Sequence, residues 1–79
     1  MRWKYKLLEK SDRLYVYAYS RETDDLDGLI SYDFKTDQAR LVRPCKGDEG
    51  SKMAERSALS HFQTVVNEGF PAYRYVCCG

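Results

Sequence analysis

Three cysteines and a single histidine are the side chains of this 79-residue sequence best suited to a structural zinc site or to thiol catalysis. Cys45 follows Pro44, whereas Cys77 and Cys78 are adjacent to each other. Structural zinc sites usually have four Cys or His ligands at spacings such as CxxC, and no CxxC occurs here. Neighbouring strand residues point to opposite faces, so Cys77 and Cys78 are poorly placed to share one metal. We expect no metal or cofactor. A thiol or metal protein centred on these cysteines ranks third among the functional hypotheses, after the interaction domain and the nucleic-acid-binding module described below.

Cysteine catalysis needs a histidine within hydrogen-bond reach of the thiol, and the spacing in the sequence establishes no such pair. His61 falls in a predicted helix with Ser57 four residues before it, so we expect a partly buried ring with a local hydrogen bond. The sequence has no Gly-rich phosphate loop and no GxSxG or HExxH motif. We therefore predict that the chain is not an enzyme.

Seven tyrosines are the main excess in the composition. Three of them, Tyr15, Tyr17 and Tyr19, alternate with Leu14, Val16 and Ala18, which is the period of a strand. One helix covers only one face of a sheet, and we expect the aliphatic set to face it. The tyrosines would then lie on the opposite face, where a large ring with a hydroxyl suits a half-exposed or interface position.

Three hypotheses compete for that tyrosine face. The first is a solvated sheet surface whose tyrosines pair across strands. The second is an interaction face made of Tyr15, Tyr17, Tyr19, Tyr5 and Tyr75. The third is a platform that stacks the bases of single-stranded nucleic acid, with Lys4, Lys6 and Arg74 near the phosphates. The faces of Trp3, Tyr5, Tyr73 and Tyr75 depend on register, since a slip of one residue reverses them.

The elements that must position these residues follow from hydrophobic periodicity. Alternation predicts strands over 3–8, 13–19, 29–34, 39–43 and 73–78. Apolar spacings of three and four predict an amphipathic helix over 51–68, with Asp48 or Ser51 as its cap. Gly69, Phe70 and Pro71 form a helix stop signal.

The order β-β-β-β-α-β with short connections predicts a two-layer α+β fold over residues 1–79. An antiparallel sheet of about five strands would carry one helix on one face. The last strand could lie antiparallel beside the first strand, or parallel beside the fourth through a right-handed crossover. We favour the first arrangement.

Charge and composition limit the function classes. The net charge of +1 lacks the basic excess of a dedicated nucleic-acid binder. Residues 1–21 carry a net charge of +4 and residues 22–37 carry −5, and we expect these strands to neutralise each other across the sheet. No apolar run could span a membrane and no secretory signal is evident, and an odd cysteine count is typical of a reduced, cytoplasmic protein.

These observations together predict a small cytoplasmic protein-interaction domain. Its partner would be a second copy of itself, as a homodimer, or another protein. A single-stranded nucleic-acid-binding module is the alternative hypothesis.

Overall fold

The computed structural model describes residues 1–77, and the part of the prediction that concerns Cys78 lies outside them. Five strands and one helix follow the predicted order. They are β1 (Arg2–Lys10), β2 (Leu14–Arg21), β3 (Gly28–Asp33), β4 (Gln38–Arg43), α1 (Lys52–Asn67) and β5 (Tyr73–Cys77). The sheet has the strand order β4-β3-β2-β1-β5, and every neighbouring pair is antiparallel. The α+β fold and the position of the last strand beside the first are confirmed.

Local hydrogen bonds explain where α1 begins and ends. The Ser51 hydroxyl oxygen accepts a hydrogen bond from the Ala54 N–H at 3.1 Å, so Ser51 is the N-cap and Asp48 is not. At the other end Gly69 has φ 80°, and its N–H donates to the Val66 carbonyl. The Phe70 N–H donates to the Val65 carbonyl at 3.0 Å. This pair of bonds is a Schellman motif, as the stop signal predicts.

The face that β2 turns toward the helix is the opposite of the predicted one. Tyr17 is fully buried and Tyr19 is 1% exposed, and both lie in the same core cluster as Phe62 of α1. Ring centroids of Tyr17 and Phe62 are 5.2 Å apart. The prediction that Leu14, Val16 and Ala18 contact the helix is therefore wrong.

Backbone acceptors explain why the tyrosines can be buried. The Tyr17 hydroxyl donates to the Pro71 carbonyl at 2.6 Å, and the Tyr5 hydroxyl donates to the Ala58 carbonyl at 2.8 Å. A buried hydroxyl with an acceptor avoids the desolvation cost of an unpaired polar group. Tyr5 pairs in register with Tyr19, so β1 and β2 present their rings to the helix together. The core is built from aromatic residues on the side of the sheet that α1 covers.

No helix within residues 1–77 is long and apolar enough to cross a membrane.

Candidate interaction surface

Within residues 1–77, no helix or strand packs on the side of the sheet opposite α1, here called the open face. Residues that pair directly across antiparallel strands share a face, so the register identifies its members. On β1 and β5 these are Arg2, Lys4, Lys6, Glu9, Tyr73, Tyr75 and Cys77, and on β2 and β3 they are Leu14, Val16, Ala18, Ser20, Leu29, Ser31 and Asp33.

Two lysines and two tyrosines form a strip at one edge of the open face. Lys4 lies opposite Tyr75, and Lys6 lies opposite Tyr73. Tyr73 is 51% exposed and Tyr75 is 37% exposed, and the Lys4 Nζ is 5.8 Å from the Tyr75 ring centroid. The four residues, here called the Lys/Tyr strip, combine large amphipathic rings with cations on one accessible surface.

The strand that carries both tyrosines lies at the edge of the sheet. The Leu7 N–H donates to the Ala72 carbonyl at 2.9 Å, so these two residues form a hydrogen-bonded pair of the β1–β5 ladder. Hydrogen-bonded and non-hydrogen-bonded pairs alternate along an antiparallel ladder, so Tyr73 and Tyr75 belong to the non-hydrogen-bonded pairs. The backbone groups of Tyr73 and Tyr75 therefore point away from β1. The Arg74 guanidinium donates a short hydrogen bond to the Tyr75 carbonyl. A cation on an edge carbonyl hinders the addition of a further strand, so the edge is protected while the face stays open.

Carboxylates neutralise part of the positive charge of the open face, as the charge layout predicts. The Arg2 Nε lies 3.7 Å from a Glu22 carboxylate oxygen, and Lys4 forms an ion pair with Asp24. The Arg2 N–H donates to Glu22 at 2.8 Å, and this bond lowers the pKa of the Glu22 carboxyl. Among the described residues Lys6 has no ion pair. The strip therefore presents one unpaired cation beside the two exposed rings.

The structure separates the five tyrosines predicted to form one interaction face. Tyr5, Tyr17 and Tyr19 are buried beneath the helix. Tyr15 is half-buried on the same side, with its ring centroid 4.7 Å from that of Phe34. Of these five only Tyr75 lies on the open face. The placement of Tyr15, Tyr17 and Tyr19 on the uncovered side is wrong, and Tyr5, whose face the sequence left to the register, lies on the helix side. Whether any of them binds a partner stays a prediction.

The cations predicted to contact nucleic acid are also divided. Lys4 and Lys6 lie on the open face, whereas Arg74 shares the helix side of the sheet with Tyr5. Its guanidinium forms an ion pair with Glu68 at 2.8 Å. Tyr73, and not Arg74, lies beside Lys6 on the open face. Alternation along β5 already indicated this, because residues 73 and 75 must share a face from which residue 74 is excluded.

The thiols occupy separate environments. Cys45 is 3% exposed, and its Sγ lies 3.2 Å from the Asp48 Oδ2 to which it donates, whereas Cys77 is exposed. Burial raises the pKa of the Cys45 thiol to about 11. Within residues 1–77 no three His, Cys, Asp or Glu side chains form a group that could hold a metal ion.

His61 is half-buried with Nδ1 2.7 Å from the Ser57 carbonyl oxygen, which confirms its predicted local hydrogen bond.

A comparison of the chain with protein-family models, curated proteins and solved structures finds no match.

Proposed function

We propose that this chain is a small cytoplasmic protein-interaction domain, not an enzyme, that forms a homodimer through its open face. The observation that supports this proposal is the exposure of Tyr73 and Tyr75 side by side on that face. Aromatic residues are enriched in protein interfaces because a large rigid ring buries much area at little entropic cost. The proposal therefore moves the contact from Tyr15, Tyr17 and Tyr19 to the Lys/Tyr strip.

The residues next to the Lys/Tyr strip favour a protein as the binding partner. A row of the open face joins Leu29, Ala18, Lys6 and Tyr73 in register from β3 to β5. Tyr73 and half-buried Leu29 offer apolar contact area on either side of the Lys6 cation, whereas Ala18 is only 4% exposed. Because Arg74 hinders strand addition at the β5 edge, we propose contact between faces. A two-fold dimer places the same face on both copies, and a net charge of +1 opposes this contact only weakly.

The decisive variant is Tyr73→Ser/Tyr75→Ser, which removes both exposed rings and leaves the buried core intact. We expect sedimentation velocity over ~1–100 µM to show a dimer for the wild type, with a dissociation constant raised at least about tenfold in the variant. Met53→Ser is the matched control, because Met53 is 81% exposed on α1, which packs on the other side of the sheet. A monomeric wild type, or equal association of all three proteins, contradicts the proposal.

A single-stranded nucleic acid is the second candidate partner, and the pairing of Lys4 with Tyr75 supports it. Here the Lys4 Nζ lies 5.8 Å from a ring on which a base could stack. Fluorescence anisotropy with an oligothymidine is expected to show binding that weakens steeply with added salt. Lys6→Glu should abolish it, whereas Lys52→Glu makes the same charge change at the start of α1 and should not. Equal affinity of the two variants excludes this candidate.

A further inference from the structure

A cavity of about 350 Å³ lies on the helix side of the sheet, beside the start of α1. Its walls include Trp3 and Arg21 from the sheet, Asp48 from the preceding loop, and Ser51, Met53 and Ala54 from the helix start. The volume is at the lower end of the range for small-molecule sites, which runs from ~300 to ~1,000 Å³. It is separate from the open face, so its role does not depend on the proposed self-association.

Trp3, which lines this cavity, carries a buried hydrogen-bond donor without a partner. The Trp3 side chain is 0% exposed, and its Nε1–H has no acceptor within the described part of the chain. Its ring stacks on His61 with centroids 5.4 Å apart, which holds the indole in place. A buried polar group without a partner costs free energy and calls for an explanation, and a ligand that accepts its hydrogen bond supplies one.

The start of α1 supplies a second source of positive potential. The first amides of a helix have no intrahelical acceptor. Here the Ser51 hydroxyl accepts from Ala54 and the Ser51 carbonyl accepts from Glu55, so the N–H groups of Lys52 and Met53 have no acceptor among the described residues. These amides and the helix dipole favour an anion. The one carboxylate in the wall, Asp48, is held by both nitrogens of the Arg21 fork, with Nε at 2.9 Å. Because this ion pair carries no net charge, Asp48 does not by itself exclude an anion from the cavity.

We propose that the cavity binds a small organic carboxylate. A carboxylate oxygen accepts the Trp3 Nε1–H and an amide at the start of α1, and the apolar part of the ligand lies against Met53 and Ala54. The Nε1 atom has no exposed surface, so a lining side chain must move when the ligand enters. Met1 and Met53 line the cavity and are 58% and 81% exposed. Their flexible thioether side chains can move without disturbing the sheet.

The only tryptophan of the chain makes a direct assay possible. The indole N–H gives a single cross-peak in a ¹H–¹⁵N spectrum, and we would titrate it with sodium hexanoate. We expect a saturable downfield shift with a dissociation constant of about 1 mM or tighter. Hexanol is the neutral control with the same chain length. No saturable shift up to ~10 mM hexanoate, or an equal response to hexanol, overturns the proposal.

Two variants locate the binding site. Trp3→Phe removes the donor, and binding read from the amide signals of residues 51–54 should weaken about tenfold. Ala54→Leu fills the cavity from the helix and should weaken binding at least as much, while keeping the indole reporter. Gln63→Leu adds similar apolar volume at an exposed position of the same helix and should leave the affinity unchanged. If hexanoate binds Ala54→Leu as well as the wild type, the ligand lies elsewhere and the proposal is wrong.

Discussion

The Cys45 side chain shows how one residue's environment limits its chemistry. Its thiol is buried against Asp48, and its pKa is raised from 9.0 to about 11. Only the thiolate is alkylated, so a rise of two pH units lowers the reactive fraction about a hundredfold near neutral pH. We predict that Cys77→Ser/Cys78→Ser, in which Cys45 is the only thiol, reacts with iodoacetamide at least ~100-fold slower when folded than in urea.

A matched variant separates burial from the effect of the carboxylate. Asp48→Asn keeps the shape of the acceptor but removes its charge, and it should accelerate alkylation of folded Cys45. Exposed Cys77, tested in Cys45→Ser/Cys78→Ser, should react rapidly in the folded protein. Equal rates for Cys45 in the folded and unfolded chains would contradict the assigned environment.

The sequence alone predicts the surroundings of some side chains and not of others. His61 and its bond to Ser57 follow from helical spacing alone. The face of Tyr17 does not, because both alternating sets of β2 are apolar enough to be core and hydrophobicity cannot rank them. The deciding contact is the Tyr17 hydroxyl on the Pro71 carbonyl, and these residues are 54 positions apart.

The Tyr19 ring of β2 lies directly over Gly28, its partner on β3. A Cβ built on Gly28 would lie 2.3 Å from the Tyr19 ring, so only glycine fits beneath it. The ring cannot easily move, because its hydroxyl accepts the Cys45 N–H at 3.1 Å. We predict that Gly28→Ala lowers the free energy of unfolding by about 2–3 kcal/mol in urea denaturation.

A double-mutant cycle tests the cause of that loss. In a Tyr19→Leu background the added methyl has more room, so Gly28→Ala should cost at least ~1 kcal/mol less. Ser31→Ala, on the open face of the same strand, should change stability by no more than ~0.5 kcal/mol. Additive losses in the cycle would show that the ring is not what excludes a side chain at position 28.

The elements themselves are largely predictable. Short polar connections predict the antiparallel strands, and apolar spacing with a Gly-Phe-Pro stop predicts α1. The sequence could not choose between Asp48 and Ser51 as the helix cap, because both are good N-cap residues. In the structure Ser51 directly precedes the first helical residue, and Asp48 instead binds Arg21 on a distant strand.

The stability of the whole molecule depends on buried tyrosines whose hydroxyl groups stay protonated. Burial raises the pKa of Tyr17 to about 12 and that of Tyr19 to about 12, whereas an unfolded chain has a tyrosine pKa near ~10. Both groups therefore bind their protons more tightly in the folded state. Their contribution to stability is complete below pH ~10 and is lost as the pH rises toward about 12, because the unfolded state releases protons first.

We predict a free energy of unfolding that falls steeply above pH ~10, measured by urea denaturation at a series of pH values. Tyr17→Phe/Tyr19→Phe should be less stable at neutral pH by about 1–3 kcal/mol, because two buried hydrogen bonds are lost. Its stability should nevertheless fall less steeply in the alkaline range, since two of the linked protons are gone. Tyr73→Phe, at an exposed position, should retain the slope of the wild type. If the double variant and the wild type show the same alkaline slope, the linked protons belong to other groups and the aromatic core does not set this limit.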